Sequence, residues 1–79
     1  MHQRTIAARQ KLLELIQNGR FPAYSFLPSE RKLCAELSVG RGAIRVIRRE
    51  LYDLGVLRYS AEHRRHQIMN MKEPRLKRL

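Results

Sequence analysis

The stretch from Leu27 to Gly55 constrains the fold most strongly, because it contains two helical patterns separated by only three residues. In the second pattern, a step of about 100° per residue gathers four apolar residues into one row. The row consists of Ile44, Ile47, Leu51 and Leu54. The neighbouring arc carries Arg41, Arg45, Arg48, Arg49 and Tyr52. One side of this helix therefore requires a hydrophobic core, and the other side suits a polyanion.

The first helix of the pair has a start signal at Ser29, whose hydroxyl can accept a hydrogen bond from a free amide of the first turn. Leu33 and Leu37 are four residues apart and are expected to face the core. The three-residue connection is a tight turn, in which Val39 points inward and Gly40 allows a positive φ or a close approach to another backbone. A helix, a glycine-containing turn and a basic helix together predict a helix-turn-helix.

A further helix is predicted over residues 5–18, where one stripe holds Ile6, Leu12, Leu13 and Ile16. Gly19 is expected to end it, because glycine readily adopts the left-handed conformation that closes a helix. Residues 21–24 contain a proline and no helical period, so they are interpreted as an irregular loop. The aromatic side chains of this loop are expected to close the end of the core. Residues 25–27 are assigned to a very short strand.

After Gly55, which fits a helix stop, the sequence predicts a β-hairpin. Residues 56–59 and 67–69 have strand-like content, and residues 60–66 form a polar tip. We therefore expect one domain over residues 1–69. Residues 70–79 are basic and include a proline, which is typical of a tail or the start of a linker.

The charge of the chain favours an anionic partner. Its 79 residues include 17 Lys and Arg against 7 Asp and Glu, for a net charge of +10. Such a charge suits nucleic acid or an anionic membrane surface. A single cysteine, together with the lack of a signal peptide or an apolar run of about 18 residues, favours a reducing, soluble, intracellular setting. The small core of a chain this size is expected to depend on a partner, a dimer mate or a further part of the chain.

The segment LPSERKLCAELSVGRGAIRVIRRELYDLGVL resembles the winged helix-turn-helix domain of the GntR family of bacterial transcriptional regulators. The resemblance covers about residues 6–69. It implies a mainly α fold of three helices with a small two- or three-stranded antiparallel sheet as the wing. It also implies sequence-specific binding of double-stranded DNA in the bacterial cytoplasm, at the nucleoid. A homodimer and a small-molecule effector bound by a further domain are implied for a longer protein, of which this chain would be a part.

By position in that pattern, the recognition helix spans about residues 41–54 and enters the major groove. Arg41 and Arg45 would read bases, since an arginine fork suits the O6 and N7 acceptors of guanine. Arg31 would contact backbone or base, and the Gly42 amide would approach the DNA closely. Among the remaining basic residues, the resemblance and the charge pattern assign phosphate or minor-groove contacts to Arg48, Arg49, Arg64 and Arg65.

The sequence departs from the family pattern at several positions. Gly40 and Ala43 stand where the family usually has hydroxyl residues, which removes two expected phosphate contacts. Tyr24 replaces a typical glycine, and the wing tip at Ala61 and Glu62 lacks the usual Gly-x-Gly. Arg64 and Arg65 are therefore the expected contacts of an atypical wing.

Other functions compete with this one. The arginines of one helix face can form only a solvated surface, and the domain can be a protein-interaction module or a nonspecific nucleic-acid binder. His63 and His66 supply only two of the three or four ligands that zinc needs, so neither a metal nor a cofactor is predicted. The carboxylates are expected to form surface pairs within a helical turn. No catalytic triad or phosphate-binding glycine loop is visible, so we do not expect an enzyme.

Overall fold

The fold consists of three helices followed by a β-hairpin. A computed structural model describes residues 2–70. The elements are α1 (Gln3–Gln17), α2 (Glu30–Leu37), α3 (Arg41–Asp53), β1 (Leu57–Ser60) and β2 (Arg65–Ile68). The predicted fold class is confirmed. Most of the predicted basic tail lies outside the described residues.

Helix α1 ends where the sequence predicts, and Gly19 takes a φ of 86° after the cap residue Asn18. Its buried face differs in one respect from the predicted stripe, because Ile6 is 39% exposed. The buried residues of the helix are Thr5, Ala8, Leu12, Leu15 and Ile16. Ile6 lies about 100° around the helix from Thr5, so it falls beside this face.

The loop after α1 only partly closes the core. Phe21 packs against the core as predicted, but the Tyr24 side chain is 53% exposed. Tyr24 has a left-handed backbone with φ 68°. The loop turns there, and the Tyr24 amide donates to the Ile68 carbonyl at 2.6 Å. The backbone of Tyr24 is thus directed to the hairpin while its side chain faces outward.

The predicted short strand over residues 25–27 is present as one antiparallel bridge between Phe26 and Gln67. Backbone hydrogen bonds flank the bridge, from Leu27 N to His66 O at 2.8 Å and from Ile68 N to Ser25 O at 2.9 Å. Strand β2 therefore pairs on both sides, with β1 and with this segment. The named sheet has two strands.

The turn between α2 and α3 differs from the prediction in which residue takes the unusual backbone. Ser38 adopts the left-handed conformation with φ 56°, and its amide donates to the Cys34 carbonyl. Gly40 has φ −81° and is the N-cap of α3. Nothing in the described chain lies within 4 Å of a Cβ added at Gly40. The predicted positive φ or close backbone approach at Gly40 is therefore wrong, because the left-handed residue follows α2 directly.

Helix α3 supplies the centre of the core. Ile44, Ile47 and Leu51 are buried, as the apolar row predicts. Leu54, the last member of that row, is 44% exposed because it lies at the C-cap, where the helix ends. None of the helices within residues 2–70 is long and apolar enough to cross a membrane.

The hairpin is longer than predicted, and its tip is correspondingly shorter. Leu57 pairs with Ile68 and Ser60 pairs with Arg65, so only residues 61–64 lie between the strands. Gly55 ends α3 with φ 83°, as predicted. No glycine marks the tip, and Arg64 takes the positive φ of 52° there. Because no glycine marks the turn, the predicted strand boundaries differ from the observed ones by one or two residues.

Candidate nucleic-acid interface

The polar side of α3 is open to solvent over its whole length. Arg41 and Gly42 occupy the first turn, and Arg45 and Arg49 follow on the same side. All four residues are exposed. Nothing in the described chain lies within 4 Å of a Cβ added at Gly42, so another molecule can approach the backbone closely there. This helix therefore presents cations and an uncovered backbone to a partner.

The Glu30 carboxylate joins α2 to α3 through two arginines. Arg45 donates from Nε to Oε2 at 3.0 Å and from Nη2 to Oε1 at 3.3 Å. Arg48 donates from Nη2 to Oε2 at 2.9 Å. The Arg45 side chain is 61% exposed, whereas that of Glu30 is only 22% exposed. Glu30 was not predicted to contact α3, yet it binds two arginines that were predicted to contact DNA.

The electrostatics of this cluster follow from its hydrogen bonds. The hydrogen bond from Arg45 is the main reason that the pKa of Glu30 lies below its ordinary value, and the charge of Arg48 adds to the shift. The same pair raises the pKa of Arg45. Glu30 therefore stays ionised and Arg45 stays charged at neutral pH.

The other carboxylates correct the prediction of pairs within one turn. Only Asp53 pairs in this way within the described chain, accepting from Arg49 Nε at 3.4 Å. Glu36 pairs with Arg20 at 3.3 Å, and Glu50 pairs with Arg9 of α1. Like Glu30, these two residues bridge separate segments of the chain. Pairs that depend on tertiary packing cannot be read from helical spacing.

In the wing, Arg65 is held against the loop that precedes α2. Its guanidinium lies 5.1 Å from the centroid of the Phe26 ring, and its Nη2 donates to the Leu27 carbonyl at 3.4 Å. The tip residue Arg64 is exposed, and its side chain forms no ion pair or hydrogen bond within residues 2–70. Arg31, exposed in the first turn of α2, and Arg41 likewise have free guanidinium groups with respect to the described chain.

Two clefts separate α3 from the wing and share Arg48 and His66. The first has a volume of about 430 Å³ and is lined by Leu27, Pro28, Ser29, Glu30, Arg48, Arg64, Arg65 and His66. The second has a volume of about 370 Å³ and is lined by Arg45, Arg48, Arg49, Tyr52, Tyr59 and His66. The structure thus brings the predicted basic residues of α3 and the wing together, whereas Arg31 and Arg41 lie outside both clefts.

His66 is the titratable group between the two clefts. Its ring makes edge contacts with Tyr59 and Tyr52, at centroid distances of 5.2 and 6.2 Å. Burial lowers the pKa of His66 below its ordinary value, and the positive charge of Arg48 lowers it further. The histidine therefore stays neutral near pH 7, with one ring nitrogen able to donate a hydrogen bond and the other able to accept one.

The histidines of the wing point to different neighbours. His63 Nδ1 lies 3.0 Å from Ser60 Oγ, and its ring lies 4.7 Å from that of Phe26. Across residues 2–70, no three His, Cys, Asp or Glu side chains are grouped so that they could hold a metal ion.

Sequence reasoning missed Glu30 and His66 as parts of this surface. Glu30 lies inside the LPSER motif, at the first residue of α2, so its position opposite α3 follows only from the packing of the two helices. His66 lies in β2 facing α3, and its side could be assigned only once the hairpin register was known. Neither residue carries a periodic signal of its own.

Three helices, a short turn before an exposed basic helix and a two-stranded wing define a winged helix-turn-helix, a class of DNA-binding domain. The family model "Bacterial regulatory proteins, gntR family" matches residues 5–61. The chain therefore belongs to the GntR family, as the resemblance implied, and it has the fold of that family's DNA-binding domain.

Two solved structures share the fold. One is a crystal structure of mutant ORR3 in complex with the NTD of AraR, with 22% identity and a TM-score of 0.71 over 86% of this chain and 96% of that one. The other is YtrA from Sulfolobus acidocaldarius, a GntR-family transcription factor, with 22% identity and a TM-score of 0.65 over 89% of this chain. This chain spans 60% of the length of YtrA. No curated protein sequence matched the chain.

Proposed function

We propose that this domain reads operator DNA sequence-specifically, with α3 in the major groove and the wing on the flanking backbone or minor groove. The observation that carries the proposal is the open first turn of α3, where Arg41 and Gly42 are exposed beside Arg45. The N-terminal residues of a recognition helix are those that reach base edges. Membership of the GntR family supports the same function.

The residues divide into base readers and phosphate contacts. Arg41 and Arg45 read bases, because an arginine fork distinguishes guanine in the major groove. The other contacts position the domain on the backbone or in the minor groove. These are Gly42, Arg48, Arg49, Arg64 and Arg65, whereas Arg31 contacts either backbone or base. Because Arg48 is bound to Glu30 and partly covered, we assign it the smallest direct contribution of the group.

Within a longer protein that contains this domain, two copies would act as a homodimer in the bacterial cytoplasm, at the nucleoid. Two heads related by a two-fold axis would read inverted half-sites about one helical turn apart. A separate domain would bind the small-molecule effector. In this arrangement the domain described here performs recognition and carries out no catalysis.

Selection from a pool of random-core duplexes at about 0.15 M salt tests the proposal, since nonspecific binding weakens steeply with salt. Sequencing of the retained duplexes should show enrichment of one short motif, and inverted copies would support the dimer. Retention without enrichment would contradict sequence-specific reading and would leave a basic domain that binds DNA through charge alone.

A further inference from the structure

We propose that Glu30 is a positioning residue that holds Arg45 in the orientation with which this arginine reads a base. The inference rests on the proposed function, because it specifies how one arginine of the recognition helix achieves selectivity. It is carried by the arrangement of the Glu30 carboxylate between Arg45 and Arg48.

Glu30 occupies only one edge of the Arg45 guanidinium. A guanidinium has a side-on edge, formed by Nε and Nη2, and an end-on edge, formed by Nη1 and Nη2. Glu30 takes the side-on edge through both of its oxygens, at 3.0 and 3.3 Å. The end-on edge keeps one N–H on each terminal nitrogen. That pair of donors can fork to O6 and N7 of a guanine while the carboxylate pair remains intact.

The carboxylate is itself held in place before DNA arrives. Glu30 is the first residue of α2, and the helix start is fixed by Ser29, whose Oγ accepts from the Lys32 amide at 3.2 Å. Arg48 then binds Oε2 at 2.9 Å. The Arg48 side chain is 30% exposed and thus partly immobilised by its surroundings. Arg48 thus fixes the position of the Glu30 carboxylate, and the carboxylate in turn orients Arg45, which contacts the base.

This arrangement affects DNA binding in two ways. An arginine that is already oriented loses less side-chain freedom on contacting a base, which strengthens binding to the preferred sequence. The same carboxylate carries a negative charge next to the binding face, so it opposes loose contacts between the arginine and phosphates of any sequence. Both effects increase the ratio of specific to nonspecific affinity.

Two variants of Glu30 and one control distinguish the effect of the position of the carboxylate from the effect of its charge. Glu30→Asp keeps the charge and shortens the reach by one methylene, so it tests position alone. Glu30→Gln removes the charge and keeps the shape. Glu14→Gln, on the exposed face of α1, is the control because it changes the net charge by the same amount at a distance from α3. Affinities are measured for the wild type and each variant on the duplex enriched in the selection above and on a random-core duplex.

Glu30→Asp should lower affinity for the enriched duplex by about two- to tenfold, the range expected for ordering one long side chain, and leave affinity for the random duplex within about twofold. Glu30→Gln should strengthen binding to the random duplex and reduce the specificity ratio. Glu14→Gln should leave the ratio unchanged. In an Arg45→Ala background, Glu30→Asp should have no further effect on the ratio, because the residue it orients is gone.

The inference is overturned if Glu30→Asp preserves the specificity ratio, or if it lowers both affinities equally, which would indicate a purely structural role. It is equally overturned if Glu30→Asp still reduces the ratio in the Arg45→Ala background. A wild-type domain that prefers no sequence would refute the proposed function together with the inference. A selective wild type whose Glu30 variants retain selectivity would refute the inference alone. Thermal unfolding of each variant checks that the fold is intact.

Discussion

At the start of α3, Arg41 lies between two glycines that leave the backbone uncovered, and Arg45 follows one turn later. Nothing in the described chain would contact a Cβ at Gly40 or Gly42. The hydroxyls that the family usually places in this turn are missing, but the free amides at the helix start can still meet a phosphate. We therefore expect this turn to bind DNA through backbone amides and arginine side chains rather than through hydroxyl groups.

Removal of either base reader should reduce both affinity and preference. We expect Arg41→Ala and Arg45→Ala each to cost on the order of 1 to 3 kcal/mol on the enriched duplex, because alanine cannot donate the paired hydrogen bonds to a base. Competition binding against single-base variants of the duplex measures the effect. Arg20→Ala is the matched control, since Arg20 pairs with Glu36 away from α3. Unchanged preference in both variants would show that neither residue reads a base.

The pH dependence of stability should report on His66. Its pKa is lower in the folded protein than the ordinary value of about 6.5. Between these two values the unfolded chain binds more protons, so the free energy of unfolding should fall as the pH is lowered from about 7.5 through 6.5. Urea unfolding at several pH values measures this dependence.

His66→Gln provides the comparison for that titration, because glutamine keeps a polar side chain that does not titrate. The decrease in stability between about pH 7.5 and 5.5 should be shallower in His66→Gln than in the wild type. If the two curves run parallel, burial of His66 contributes nothing to the pH dependence.

The sequence predicted the arginines of this surface better than it predicted their partners. Arg45 and Arg48 fell on one arc of α3 because helical spacing places them there. Their pairing with Glu30 connects residues 15 and 18 positions apart, across two helices. Such a pairing depends on how α2 packs against α3, which a single sequence does not specify.

Among the elements, the connection between α2 and α3 carries a local conformational cost. Ser38 adopts φ 56°, in a region that side-chain-bearing residues disfavour. The strain is tolerated because the Ser38 amide closes the end of α2 through the Cys34 carbonyl. A residue without a side chain would form the same cap at lower cost.

Ser38→Gly should therefore stabilise the domain by about 0.5 to 1 kcal/mol. The gain is smaller than the full free-energy cost of a left-handed serine, because glycine also increases the conformational freedom of the unfolded chain. Gly55→Ala is the matched control with the opposite expected sign. It should destabilise the domain, because residue 55 has a φ of 83°, which alanine disfavours. The midpoint of urea unfolding at a constant m value measures both changes. A lower midpoint for Ser38→Gly would mean that the serine side chain contributes more than its backbone costs.

The helices and the wing strands were both predictable from sequence to within about two residues, but the signals differ in kind. Gly19, Ser29 and Gly55 mark helix ends through specific backbone chemistry, and each acts as predicted. The wing lacks a glycine signal, and its positive φ lies at Arg64. Its register is set instead by packing of Leu57 and Ile68 into the core. A register determined by tertiary packing leaves little trace in local sequence.

At the scale of the whole molecule, Arg48 of α3 faces Arg64 and Arg65 of the wing across the first cleft. The net charge of +10 should make binding to any duplex strongly dependent on salt. The wing and the recognition helix are then expected to contribute differently. We expect the helix to determine which sequence is preferred and the wing to add affinity that is independent of sequence.

Arg64→Ala should weaken binding to all duplexes alike, because its expected partner is a phosphate. The slope of log K against log salt should become shallower by about 0.9, since the variant neutralises one phosphate fewer. Titrations at several salt concentrations, on the enriched and the random duplex, measure the slope. A decrease in affinity confined to one sequence would assign Arg64 to base reading instead.

Strand β2 pairs with β1 on one side and with the segment around Phe26 on the other, although it is the last element of the described chain. During synthesis all three helices leave the ribosome before it does. Until Ile68 emerges, Leu27 and Leu57 lack a neighbour in the core, and the loop after α1 lacks its backbone partners. The domain therefore cannot complete its fold on a nascent chain truncated before residue 68. A ribosome paused there would carry a domain whose sheet and core are still incomplete.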